Sequence, residues 1–142
     1  MISRISPEEF ILLATEQVPI SAWFDIQVEK LEAGKAIIRI PFKNDFLRPG
    51  GTVSGPVQMA LADLTMYALV LSLIGRVELA VTTNLNCNFL RRPQPSALIA
   101  DGRILKLGKR LAVAEVTLFS EGEAEPVAHV TGTYSIPPNH AA

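Results

Sequence analysis

Along the chain the spacing of hydrophobic and polar positions changes period three times, and each change marks a new kind of element. Residues from Pro7 to about Gln17 read as a short helix: Ser6 can cap it, Pro7 suits its first position, and Glu8 and Glu9 favour its positive end. The runs Phe24 to Leu31 and Lys35 to Phe42, joined by the turn Glu32-Ala33-Gly34, read as the two strands of a hairpin. Asn44 to Ser54 is a loop rich in Gly, Pro and Asn. Pro56 to Ile74 is then a nineteen-residue stretch of mostly Met, Ala, Leu, Val and Tyr closed by Gly75, about 28 Å of helix. A bilayer span needs about 20 such residues. Gln58, Asp63, Thr65 and Ser72 interrupt this one, and no second span or aromatic belt accompanies it, so the pattern predicts a helix buried by its own protein.

Four strand-like runs follow: Glu78 to Leu90, Ala97 to Lys106, Leu111 to Ser120 and Val127 to Ile136. In the first, Val81, Leu85, Cys87 and Phe89 alternate with Thr82, Asn84, Asn86 and Asn88. In the last two, Ala112, Ala114, Val116 and Leu118 share one face, as do Ala128, Val130, Gly132, Tyr134 and Ile136, and such small residues let a helix approach closely. Two strands, one long helix and four strands make an α+β fold, an antiparallel sheet wrapped around a helix. At 142 residues the chain suits one domain, 1–142 with a core of about 24–136, and the tail from Pro137 through His140 reads as a frayed end.

Composition narrows the class. With 49% apolar and 19% charged residues and a net charge of −1, the chain buries enough surface to exclude disorder. Its start, Met1 to Pro7, holds no apolar export segment and no small-residue cleavage site, so a cytoplasmic location is expected. Cys87 is the one cysteine, which precludes an intramolecular disulfide, and His129 and His140 lack a ligand spacing; neither a metal nor a redox cofactor is expected. Charge is uneven: Arg91, Arg92, Arg103, Lys106, Lys109 and Arg110 face Asp101 alone, a surplus of five positive charges within residues 91–110. By charge alone this is either a solvated basic edge or a grip for a small polyanion. It is too small and too poor in aromatics for nucleic acid.

Three motifs then carry a resemblance. Ser54-Gly55-Pro56 precedes Ala60-Leu61-Ala62-Asp63; Asn86-Cys87-Asn88-Phe89-Leu90-Arg91-Arg92-Pro93 follows; and Leu107-Gly108-Lys109-Arg110-Leu111 comes third. In this order they resemble the hotdog fold, specifically acyl-CoA thioesterases of the phenylacetic-acid-degradation (PaaI-like) type, from about Phe24 to Ile136. That family opens its helix with His-Gly-Gly and places an acid nine residues after the His, and Ser54 to Asp63 is nine. The chain departs from the pattern in having Ser54 for the His and Pro56 for the second Gly. Arg48 stands where an Asn or Gln is usual, seven residues before the opening glycine, and Asn44 serves instead only with a loop four residues longer.

The resemblance implies a thioesterase in which Gly55 N–H receives the thioester oxygen. The first amides of a helix lack partners and lie at its positive end, which suits a developing oxyanion. The plainer alternative is an ordinary helix start capped by Ser54. Asp63, a lone carboxylate in an apolar helix, must be paired, protonated or set at a functional cleft; the resemblance makes it general base or nucleophile. It lies about 12 Å of helical rise beyond Gly55, and the resemblance implies a dimer or tetramer, paired through the strand Glu78 to Leu90, in which the acid of one subunit faces the glycine of the other. Thr82 matches a hydroxyl that bonds the acid in some relatives, but its parity with Asn84 and Asn86 requires a bulge. The turn Gly108-Lys109-Arg110, joined by Arg91 and Arg92, resembles a coenzyme A contact.

Tyr67, four residues after Asp63, reads as a core or pocket-wall aromatic; with Phe46, Met59 and Met66 it would make a flexible apolar acyl pocket. Cys87 reads as a core residue and His129 as solvent-exposed. Two other functions stay open: an acyl-CoA-binding hotdog protein without catalysis, and a hydroxyacyl-thioester dehydratase, which wants a His beside the acid where this chain has none in the central loop or helix.

Overall fold

The computed structural model describes residues 1–138; Asn139 and His140 of the expected frayed tail lie outside the described residues. Helix α1 (Pro7–Gln17) starts in a capping box, with Glu9 N–H donating to Ser6 Oγ and Ser6 N–H to the Glu9 carboxylate, both at 3.1 Å. Strands β1 (Gln27–Glu32) and β2 (Lys35–Ile40) form the first hairpin, and the two-residue strands β3 (Leu47–Arg48) and β4 (Thr52–Val53) form a small second one. Helix α2 (Gly55–Ile74) leads to β5 (Val81–Phe89), β6 (Leu98–Leu107), β7 (Leu111–Ser120) and β8 (Ala128–Ser135). Six strands make one antiparallel sheet in the order β1-β2-β6-β7-β8-β5, curled around α2. This is the expected hotdog arrangement.

The long apolar helix is a core element. It is long and apolar enough to cross a membrane, yet 78% of its most apolar window is buried by the chain itself. Its polar interruptions are used internally: Thr65 Oγ1 donates to Leu61 O at 2.8 Å, while Ser72 Oγ accepts from Gly34 N–H at 2.9 Å and so ties the helix to the β1–β2 turn. The rows of small residues on β7 and β8 face the helix, as the alternation predicts. Approach is closest over two glycines. A Cβ at Gly132 would lie 2.5 Å from Met66 Sδ and 3.0 Å from Asn84 O, and one at Gly102 would lie 2.9 Å from Leu69 and Thr65.

Three local expectations are corrected. Phe24 and Ile26 are not strand: Pro19–Phe24 is a 3-10 helix ended by Asp25, which takes a left-handed φ of 50° and pairs with Lys43 at 2.8 Å. Phe24 is drawn there into an aromatic cluster with Trp23 and Phe46. Strand β2 stops at Ile40, because Pro41 has no N–H to give the ladder. The loop from Asn44 is partly ordered by a 3-10 turn (Asn44–Phe46) and by the β3–β4 hairpin.

Because no space remains beneath α2, Gly132→Ala is expected to lower stability by about 1–3 kcal/mol through overpacking. Thr131→Ala, on the opposite face, should stay within about 0.5 kcal/mol. Chemical denaturation of both variants checks this.

Candidate functional site

The register of β5 shifts between Thr82 and Asn84, so the bulge that the sequence required exists, with Thr83 as the extra residue. Its consequence is local. Thr82 turns inward opposite Tyr134, while Val81 moves to the outer face and is exposed, contrary to the simple alternation. Beyond the bulge Leu85, Cys87 and Phe89 keep the inner face. Cys87 is half-buried against the core, and burial raises its thiol pKa.

Inward rotation of Thr82 completes an arrangement around Asp63. Thr82 Oγ1 donates to Asp63 Oδ1 at 2.5 Å, and Tyr134 OH donates to the same oxygen and to the Asp63 backbone carbonyl, each at 3.0 Å. No described residue donates to Oδ2, and Asp63 forms no ion pair among the described residues. The carboxylate is thus oriented by two neutral hydroxyls through one oxygen, while the other receives no hydrogen bond from a described residue. Desolvation, chiefly, and the nearby Asp63 charge push the Tyr134 phenol far above its usual range, so it stays a neutral donor. Tyr134 carries no site role in the sequence reading, where it is one residue in a row of small ones; its size among those small neighbours was the available signal.

Asp63, Thr82, Tyr134, Tyr67 and Leu79 line a cavity of about 320 Å³. Tyr67 closes its wall, its OH donating to Glu78 O at 2.9 Å. The other expected pocket residues are elsewhere: Met66 and Phe46 are sealed in the core, and Met59 is partly exposed on the helix surface.

A second cavity, about 410 Å³, lies at the N-terminus of α2 and is lined by Gly55, Gln58, Phe89, Arg48, Arg91 and Arg92, among others. Gly55 opens the helix against the Phe89 ring; a Cβ there would sit 3.3 Å from it. Ser54 is the N-cap, but its side chain makes no capping hydrogen bond, so the capping alternative does not describe its hydroxyl. The Gly55 amide has no acceptor among the described residues. Asn44 is exposed on its 3-10 turn and lines neither cavity.

The expected basic grip is divided as well. Gly108, Lys109 and Arg110 line their own surface cavity beside Leu111, which pairs with Ser135 and lies at the Val81 end of the sheet. Arg91 and Arg92 follow Phe89 at the opposite end, about 23 Å away along the strands. Within one chain the two pairs do not join. Arg91 is also ion-paired to Glu125. His129 lies on the outer face, half-exposed and bonded to Glu115 at 2.9 Å, apart from both cavities.

Comparison with known proteins agrees with this architecture. Residues 50–127 match the profile of the Thioesterase superfamily, and the chain belongs to that family. The protein is a thioester hydrolase. It is similar to a crystal structure described as a "putative thioesterase" from Silicibacter sp. TM1040, with 44% identity, 97% of this chain and 96% of that one covered, and a TM-score of 0.86. It also resembles the phenylacetic acid degradation protein PaaI from Thermus thermophilus, solved as a point mutant (26% identity, 84% of this chain and 99% of that one, TM-score 0.74). A "putative esterase" from Saccharolobus solfataricus is 29% identical over 114 residues, 80% of either chain.

Tyr134→Phe and Thr82→Val each remove one hydroxyl that orients Asp63 without touching the second cavity. Each is expected to lower kcat for thioester hydrolysis about tenfold and to leave KM within about twofold; steady-state kinetics checks both.

Proposed function

We propose that the protein hydrolyses acyl-CoA thioesters at a site shared between two subunits, with Asp63 of one acting against Gly55 of the other. The observation that carries this reading is the Asp63 carboxylate, tethered through Oδ1 and open at Oδ2 on an otherwise uncharged helix. Gly55 and Asp63 stand on one helix about 12 Å apart and face separate cavities, so one chain cannot bring both to a single carbonyl.

Pairing through β5 would remove that separation. β5 is the nine-residue edge of the sheet, with exposed apolar residues at and just beyond its ends, Leu79, Val81, Phe89 and Leu90, whereas the opposite edge, β1, has Glu32 already bridged by Ile2. An unpaired, apolar-flanked strand is a template for a second copy, and a two-fold axis makes the pairing antiparallel and self-complementary. The Val81 end of one β5 would then lie beside the Phe89 end of the other, bringing Asp63, Thr82 and Tyr134 to the partner's Gly55. By the same rotation Lys109 and Arg110 approach the partner's Arg91 and Arg92, assembling a basic rim suited to coenzyme A phosphates. We extend this to the assembly: a homodimer, or two such dimers, with coenzyme A entering as part of the substrate and with no metal or redox cofactor.

In this site the partner's Gly55 N–H, at the positive end of α2, receives the carbonyl oxygen as it gains charge. Asp63 Oδ2 takes a proton from water, whose oxygen adds to the carbonyl carbon. When the tetrahedral intermediate collapses, the C–S bond breaks and the thiolate recovers that proton from Asp63, releasing free acid and thiol. In the other route Oδ2 adds directly to the carbonyl carbon, the C–S bond breaks as the thiolate leaves the tetrahedral adduct and a mixed anhydride remains, and water cleaves the anhydride to free acid and the Asp63 carboxylate, its second proton going to the thiolate. Both routes need the same free carboxylate oxygen. Ser54 Oγ, uncommitted beside Gly55, is available to the same reacting groups.

Asp63→Asn keeps size and hydrogen-bonding capacity but removes the charge. It is expected to lower kcat at least about a hundredfold while the dimer persists and the melting temperature holds or rises. An active variant that unfolds would instead make Asp63 a structural acceptor and favour a binding protein.

A further inference from the structure

The two cavities that would meet at the thioester carbonyl differ in kind. The one beside Gly55 is lined by Arg48, Arg91 and Arg92. The one beside Asp63 is apolar or aromatic except for Asp63, Thr82 and Glu78, and Glu78 is paired with Arg76 at 3.4 Å. Phosphates of a coenzyme arm belong with guanidinium groups, and an acyl chain belongs where apolar surface can leave water. The chain therefore enters the Asp63 cavity. Tyr67 stands in its path, four residues after Asp63 on the same helix face and about 6 Å further along the axis.

Three elements hold the Tyr67 side chain, which is 5% exposed. Its OH donates to Glu78 O at 2.9 Å in the α2–β5 connection. Its ring stacks on Tyr134 of β8, with centroids 6.1 Å and planes 22° apart, and Phe10 of α1 meets it edge-on at 5.9 Å. Phe10 is fully buried and does not line the cavity, so it fills the space behind the ring. A methionine at this position would turn aside for a longer ligand; a ring held by its face, its edge and its hydroxyl does not. The other way out of the cavity, past exposed Leu79 and Val81, runs along the β5 edge that a second copy would cover.

We propose that Tyr67 is a specificity-determining residue that caps the length of the acyl chain, so that short acyl groups are hydrolysed and chains that would run past the ring are rejected. This rests on the reading that places the thioester carbonyl between Asp63 and the partner subunit's Gly55. Where a wall does not yield, each further methylene costs overpacking and lost burial together.

Thiol release from straight-chain acyl-CoAs, acetyl through dodecanoyl, would give kcat/KM against chain length for the wild-type protein, Tyr67→Ala and Tyr67→Phe. In the wild-type protein kcat/KM is expected to fall about tenfold or more just beyond the longest accepted chain. Tyr67→Ala should restore that first rejected chain to within about twofold of the accepted one and move the limit to longer chains. Tyr67→Phe keeps the ring and should keep the wild-type limit. Because Tyr67 stacks on Tyr134, which orients Asp63, a loss of absolute rate in Tyr67→Ala is shared by all chains, and the limit is read from ratios between them. Tyr67→Leu carries the same comparison if the Ala variant does not fold. A wild-type profile without a limit, or a limit unmoved in Tyr67→Ala, overturns the proposal and leaves the acyl-CoA reading standing. So does a limit that moves with Phe89→Ala and not with Tyr67→Ala, which would put the chain in the Gly55 cavity. Absence of hydrolysis for every acyl-CoA overturns that reading itself, and the proposal with it.

Discussion

Helix α2 can lie as deep as it does only because β6 and β8 each omit a side chain beneath it, at Gly102 and Gly132, where even a methyl group would collide with Leu69, Thr65 or Met66. That close approach sets the height of Asp63 above the sheet. At that height Tyr134, two residues beyond Gly132 on the same face of β8, reaches both the carboxylate and the backbone carbonyl of Asp63. The bulge in β5 rotates Thr82 inward at the facing position. A site that depends on 3.0 Å contacts between helix and strand needs the two layers at a fixed separation, and close-packed interiors supply it because they do not compress gradually.

Much of the fold was legible in the sequence because its signals are local. Alternation on β7 and β8, the apolar run closed by Gly75 and the cap at Ser6 each depend on residues within a few positions of one another. The failures occurred where distant residues decide. Phe24 reads as strand until Trp23 and Phe46 draw it into an aromatic cluster, and Val81 reads as inward until the β5–β8 ladder slips by one residue. For the candidate site, Asp63 was visible as a lone carboxylate in a long apolar run, and Gly55 through the resemblance alone. Tyr134 was not, because its partner lies 71 positions away in the chain, and a tyrosine on a packed face looks like any other large core residue. Gln58 shows the same blindness in reverse: the sequence marks it as a polar interruption, and only the structure separates its satisfied nitrogen from its orphaned oxygen.

In the proposed site the chemistry is divided between the N-terminus of α2, at Gly55, and its middle, at Asp63. An oxyanion donor belongs at a helix N-terminus, where unpaired amides and the dipole are, and a base belongs where neutral hydroxyls can orient it without neutralising it. One helix cannot present both to one carbonyl. A second copy, added along β5, would solve this at no cost in new elements, since the same edge that needs covering carries the two half-sites at its ends. The split basic groups obey the same geometry, which is why a pair of clusters about 23 Å apart in one chain need not be unrelated.

Subunit complementation tests that shared site most directly. Asp63→Asn and Gly55→Val chains, each purified as an inactive homodimer, would be unfolded, mixed in equal amounts and refolded together. If the site is composite, every mixed dimer contains one intact pairing of Asp63 with the partner's Gly55 and one doubly damaged pairing, so random mixing should restore about a quarter of wild-type thioesterase activity per chain. Mixed dimers that form and remain as inactive as either parent would contradict the account, placing Asp63 and Gly55 in the service of the same chain or of different tasks.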